Sequence, residues 1–117
     1  MLFEVATEAT ARRLIDALFA AETGDASAWQ ALDDKDLYRL RTDAEALATL
    51  VPYALLRLAE QLCQHPRAPV RLDAIRMLSL VHAADSQRVH RALHQMSFDS
   101  SQGVQRAAAS MLARLGQ

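Results

Sequence analysis

His90 and His94 stand four residues apart, a spacing that puts two imidazoles on one face of a helix and can hold a metal ion from one side. Neither an HExxH nor a CxxC pattern accompanies them, and no nearby acid completes a ligand set. The expectation is therefore solvated helix surface, with no metal and no other cofactor. Cys63 is the single cysteine, so no intramolecular disulfide can form. Next to Leu62 in an alanine- and leucine-rich segment it reads as a buried small hydrophobe, not as a thiol nucleophile paired with His65. Asp33, Asp34 and Asp36 supply carboxylates in a run, the usual pattern of a solvated helix start that favours the helix dipole. A glycine-rich phosphate loop and a GxSxG elbow are both missing from the sequence. No catalytic residue is assigned, and the expectation is a non-enzymatic protein.

The arginines are the strongest candidates for chemistry. They supply twelve of the thirteen positive charges, with Lys35 the sole lysine. The net charge of −1 conceals a split: residues 1–50 hold ten acids and five bases, residues 51–117 four acids and eight arginines. A guanidinium fork binds carboxylate or phosphate in paired geometry. Arg67 and Arg71 flank one turn, while Arg76, Arg88, Arg91 and Arg106 fall on later helices. Arg67, Arg71 and Arg106 are the set expected to meet an acidic partner protein. The competing expectation is internal pairing with Asp73, Asp85, Asp99 or the acidic N-terminal half. Nucleic acid along the same arginine edge is the alternative partner; the slightly acidic whole and the scarcity of aromatics in the basic half argue against it.

Those side chains must be positioned by helices. The chain has 117 residues, enough for one domain with a real core, and it is 51% apolar but only 5% aromatic. Ala11, Leu14, Ile15, Leu18 and Phe19 recur at helical spacing from a start near Thr7 or Glu8, and Gly24 suits the end of that helix. Asp25 or Ser27 can cap a short segment with Trp29 and Leu32. The acids at 33–36 open a short helix through Leu37 and Leu40. Thr42-Asp43-Ala44-Glu45 has the form of a capping box and predicts a new helix to about Gln64, kinked or divided by Pro52. His65-Pro66-Arg67-Ala68-Pro69 breaks the chain, with Pro69 fit for the first position of the next helix. Asp85-Ser86 and Asp99-Ser100-Ser101 mark two further starts.

The last half of the sequence repeats. Pro69-Val70-Arg71, Ala74, Met77 and Leu78 return 34 residues later as Gly103-Val104-Gln105, Ala108, Met111 and Leu112. At the same offset Leu55 meets Val89, Arg57 meets Arg91, Ala59 meets Leu93, Gln61 meets Gln95 and Leu62 meets Met96. Two helix-turn-helix units thus align, over residues 54–83 and 88–117. A tight turn, then Val-Arg, an alanine four residues after the valine and a leucine four further on, resembles the second helix of a HEAT repeat. In that family the residue after the valine often bonds neighbouring turns, so Gln105 in place of arginine is a departure. Tetratricopeptide repeats share the period but carry a Trp, Leu-Gly and Tyr pattern that is missing here. The resemblance implies an all-α right-handed α-α superhelix of six or seven helices, with residues 1–50 as an N-terminal helical cap. Such stacks bind other macromolecules. An enzyme built on one would need a deep concave pocket.

The reading is a small bacterial-type adaptor or regulator that binds a partner protein through its repeat surface. Ala107-Ala108-Ala109 on the last helix leaves room for close approach by a second copy, a homodimer through the C-terminal helix. The start MLFEVATEATARR carries acid early and is not a secretory signal, and no apolar run is long enough to span a bilayer. A cytoplasmic location without membrane contact is the expectation.

Overall fold

The computed structural model describes residues 2–116, and side chains within 11–116. Among the described residues every regular element is helical: α1 (Leu2–Glu22), α2 (Asp34–Leu50), α3 (Pro52–Leu62), α4 (Ala68–Leu80), α5 (Ser86–Met96) and α6 (Gln102–Arg114), with a 3-10 turn at Ala28–Ala31 between the first two. No helix there is long and apolar enough to cross a membrane. α1 starts ahead of the expected Thr7–Glu8, whose side chains lie outside the described residues. It ends as its glycine requires: Gly24 takes φ +107°, a conformation side chains resist, and donates to the Ala21 carbonyl.

The second helix departs from expectation. Asp33 caps it by accepting from the Asp36 amide, while the Asp36 carboxylate accepts from the Asp33 amide, closing a reciprocal box. Asp36 is fully buried and is also gripped by Arg13, through Nε and Nη2 at 3.1 Å each. That doubly satisfied start fixes one helix from Asp34, and Leu40 and Ala44 carry its buried stripe straight through the expected boundary at Thr42. Thr42 is no cap: its hydroxyl donates back to the Arg39 carbonyl. Pro52 divides the chain, since it can occupy the first turn of α3 but cannot extend α2. Pro69 falls second, not first, in α4, whose cap is Arg67.

Three successive pairs, α1/α2, α3/α4 and α5/α6, each pack internally; α1 also lies on α3, α2 on α4, and α4 on α6. The 34-residue offset seen in the sequence recurs in the element bounds, because α3 and α4 shifted by 34 coincide with α5 and α6 at both ends. Their buried positions correspond too: Leu55 with Val89, Ala59 with Leu93, Leu62 with Met96, Val70 with Val104 and Ala74 with Ala108. Ala44, Ala54, Ala59, Ala74 and Ala108 are buried among core leucines that include Leu58 and Leu78.

Candidate functional site

The turns of the two aligned pairs are built alike. His65 Nδ1 accepts from the Arg67 amide, and 34 residues on, Asp99 Oδ2 accepts from the Ser101 amide. Arg71 Nη1 donates to the His65 carbonyl at 2.8 Å, and its counterpart Gln105 donates to the Asp99 carbonyl. The longer arginine then does something glutamine cannot. Its Nη2 reaches the Asp99 carboxylate of the next turn at 3.0 Å, with both side chains nearly buried. Desolvation pushes the Asp99 carboxyl up, but the Ser101 amide and the Arg71 guanidinium outweigh it and hold it below the ordinary range. Desolvation first, then Arg67 and Arg71, hold the His65 imidazole below its ordinary pKa, with its ring edge-on to Trp29.

The three arginines singled out from sequence therefore sit in different settings. Arg71 is committed to bonds within and between turns. Arg67 is exposed and paired with Asp34 at the start of α2. Arg106 is exposed on α6 and makes no ion pair among the described residues. Arg67 and Arg71 both stand close to His65, while Arg106 belongs to the next helix pair. Arg76 pairs with Glu45 and Arg88 with Glu60, so internal pairing absorbs much of the positive half.

A different feature sets unpaired groups beside the Arg88–Glu60 and Arg71–Asp99 ion pairs. Between α3 and α5 runs a groove of about 260 Å³, bordered by Glu60, Cys63 and Gln64 on one side and Arg91, Ala92 and Gln95 on the other. It continues, through shared Glu60, Gln64 and Arg88, into a wider depression of about 490 Å³ against Trp29, Arg57 and Gln61. Arg57 and Arg91 occupy equivalent positions on α3 and α5, and neither forms an ion pair among the described residues. The two glutamines are equivalent as well, but only one is engaged. Gln61 clasps the chain around the 3-10 turn, its Nε2 donating to the Asp25 carbonyl at 2.7 Å and its Oε1 accepting from the Trp29 amide at 3.1 Å. Gln95 is exposed and makes no side-chain hydrogen bond among the described residues.

No family model matches the chain, and neither a curated protein nor a solved structure matches it. The geometry alone must carry the functional reading. The sequence shows Arg57/Arg91 and Gln61/Gln95 as recurring identities and places Arg91 among the candidate arginines, but assigns no role to Arg57 or to the glutamines. The available signal was that these identities fall outside the apolar stripe, where repeat packing does not demand them.

Cys63 borders the groove without being usable in it. Burial, reinforced by Glu60 and Asp99, pushes its thiol up to about 12. The thiolate is the nucleophile, so the folded chain is expected to react with iodoacetamide in mildly alkaline buffer on the order of a thousandfold more slowly than a free cysteine peptide. Mass spectrometry of the alkylated chain, with and without denaturant, checks this. The same raised pKa stabilises the fold fully below the ordinary thiol value of about 8.5, and that contribution fades as pH climbs toward the folded value.

His90 and His94 both lie on α5, as their spacing predicts, but each ring has a different neighbour. His94 stands edge-on to Phe98, and His90 instead faces His82 across the α4–α5 connection. Among the described residues no group of three or more His, Cys, Asp or Glu is placed to hold a metal ion.

Proposed function

We propose that the chain is a short HEAT-like right-handed stack acting as a non-enzymatic adaptor, which takes an acidic segment of a partner protein along α5. One observation carries the reading: Gln61 reads the backbone of a chain segment lying on α3, while among the described residues the equivalent Gln95 on α5 makes no side-chain hydrogen bond and Arg91 beside it no ion pair. A side-chain amide with a free donor and acceptor can bond an extended peptide by both its C=O and its N–H. Arg91, with Arg57 farther along the groove, adds forks that favour carboxylates on that peptide. Arg106 remains a candidate contact on the neighbouring helix. Arg67 and Arg71, held by Asp34 and Asp99, serve the partner by holding the turns in register.

A labelled Asp/Glu-rich peptide titrated into the chain tests this. Saturable binding is expected, weakened about tenfold or more by R91E combined with Q95A, the equivalent of at least about 1.4 kcal/mol. R67A, by contrast, should leave the affinity nearly unchanged. Equal binding by the R91E/Q95A variant, or no binding by the peptide and no protein retained from a cell lysate, overturns the reading. Retardation of a DNA or RNA duplex that collapses between low and moderate salt would replace it with the nucleic-acid alternative.

A further inference from the structure

His82 and His90 form a cluster that neither the fold nor the groove uses. His82 follows Val81, which closes α4 and is 2% exposed; His90 follows Val89, which is fully buried in α5. Each imidazole therefore springs from a backbone anchored by its neighbour, and the rings meet half-buried at the surface. Their Nε2 atoms lie 3.3 Å apart, with ring centroids 5.0 Å apart and planes inclined at 41°. Without a ligand, such a contact is a hydrogen bond between unlike tautomers, one ring carrying its proton on Nε2 and the other on Nδ1.

The same separation has a second meaning. Zinc binds imidazole nitrogen at about 2.0–2.1 Å in tetrahedral geometry, for which two ligand atoms stand about 3.3–3.4 Å apart. The two Nε2 atoms are already at that spacing, so neither backbone need move to accept an ion. We propose that His82 and His90 bind a divalent transition-metal ion, zinc or copper, through their Nε2 atoms. Loading requires only that the donor ring move its proton to Nδ1, freeing both Nε2 lone pairs. Two protein ligands leave the remaining positions to water, which makes this an open, weak site and not a structural one. The ion bridges the α4–α5 connection to the body of α5, so it binds the folded chain in preference to the unfolded one and raises its melting temperature by mass action. Imidazole pairs suit zinc and copper, and copper is held more tightly of the two. His94, turned against Phe98, is the built-in control, being one helical turn away from His90 but not in the pair.

The test is a zinc titration of chelator-stripped chain against a competing chromophoric ligand, together with the electron paramagnetic resonance of the copper-loaded form. One ion per chain is expected, with nitrogen superhyperfine structure from two imidazoles. H82A and H90A should each weaken zinc about tenfold or more, and each should reduce the copper pattern to one imidazole. H94A should bind as the parent chain does. H82Q and H90Q retain bulk and polarity should either alanine variant unfold, as followed by circular dichroism. Absence of stoichiometric binding, or binding indifferent to residues 82 and 90, overturns the proposal. So does a loss in H94A equal to that in H90A, which would place the ion on the helix-face pair instead.

Discussion

Replacing Arg71 by alanine is expected to destabilise the chain by about 3 kcal/mol, the scale on which removing one member of a buried ion pair strands the other. Arg71 and Asp99 have side chains only 11% and 13% exposed, and their contact at 3.0 Å joins the first turn of α4 to the turn before α6. Alanine removes the bonds to the His65 and Pro66 carbonyls as well. It leaves the Asp99 carboxylate with the Ser101 amide as its remaining hydrogen bond among the described residues. R71Q reproduces the residue found at the equivalent position 105 and should recover about 1 kcal/mol, because a glutamine can still reach its own turn's carbonyl. R67A should change stability by less than about 1 kcal/mol, since both Arg67 and Asp34 are solvated. Urea unfolding of the three variants ranks them. A small loss in R71A would mean that water reaches the pair and that the bond between turns is not what holds the two units in register.

The contrast between these arginines shows what the sequence can and cannot express. The position after the repeat valine is legible, because Arg71 and Gln105 fall at equal offset behind equal turns. That Asp99 is Arg71's partner is consistent with the 34-residue period, which brings the next turn alongside. The pairing of Arg67 with Asp34 is less legible: it joins the turn inside the α3/α4 pair to the turn inside the α1/α2 pair about one period earlier, but residues 1–50 carry no sequence copy of the repeat to announce it. The helix ends written by proline, by glycine and by Asp85 and Ser101 are readable for the same reason, each being a local backbone effect. Thr42 misleads because a capping-box pattern inside a continuous apolar stripe has no free amides to cap once Asp33 and Asp36 have begun the helix earlier.

The candidate groove was half visible. Recurrence marked Arg57, Arg91, Gln61 and Gln95, yet only the placement of the 3-10 turn on α3 reveals what a glutamine there does. The histidines show the reverse case. Helical spacing draws attention to His90 and His94, whereas the close contact joins His90 to His82, eight residues back and across the end of α4. A chain reversal between two helices is invisible to a test built on residues sharing one helix face.

Leu78 and Leu112 are the same position in the two aligned units, and truncating each to alanine should give unequal losses. Leu78 is fully buried, because α4 is flanked by α2 on one side and α6 on the other. L78A should cost about 3 kcal/mol, the transfer free energy of the lost methyls plus the cavity that close neighbours cannot collapse into. Leu112 is only partly buried, since α6 packs on α4 and α5 and its remaining face meets solvent; L112A should cost about half as much. The neighbouring positions repeat the asymmetry, with Ile75 buried where its counterpart Ala109 is exposed. Thermal unfolding of both variants at several protein concentrations decides the matter. Equal losses, joined to a melting temperature that rises with concentration, would mean that a second copy covers α6 in solution. Unequal losses independent of concentration leave α6 as an open face, and the proposed acidic-peptide groove between α3 and α5 then stands without a second copy of the chain competing for the C-terminal helix.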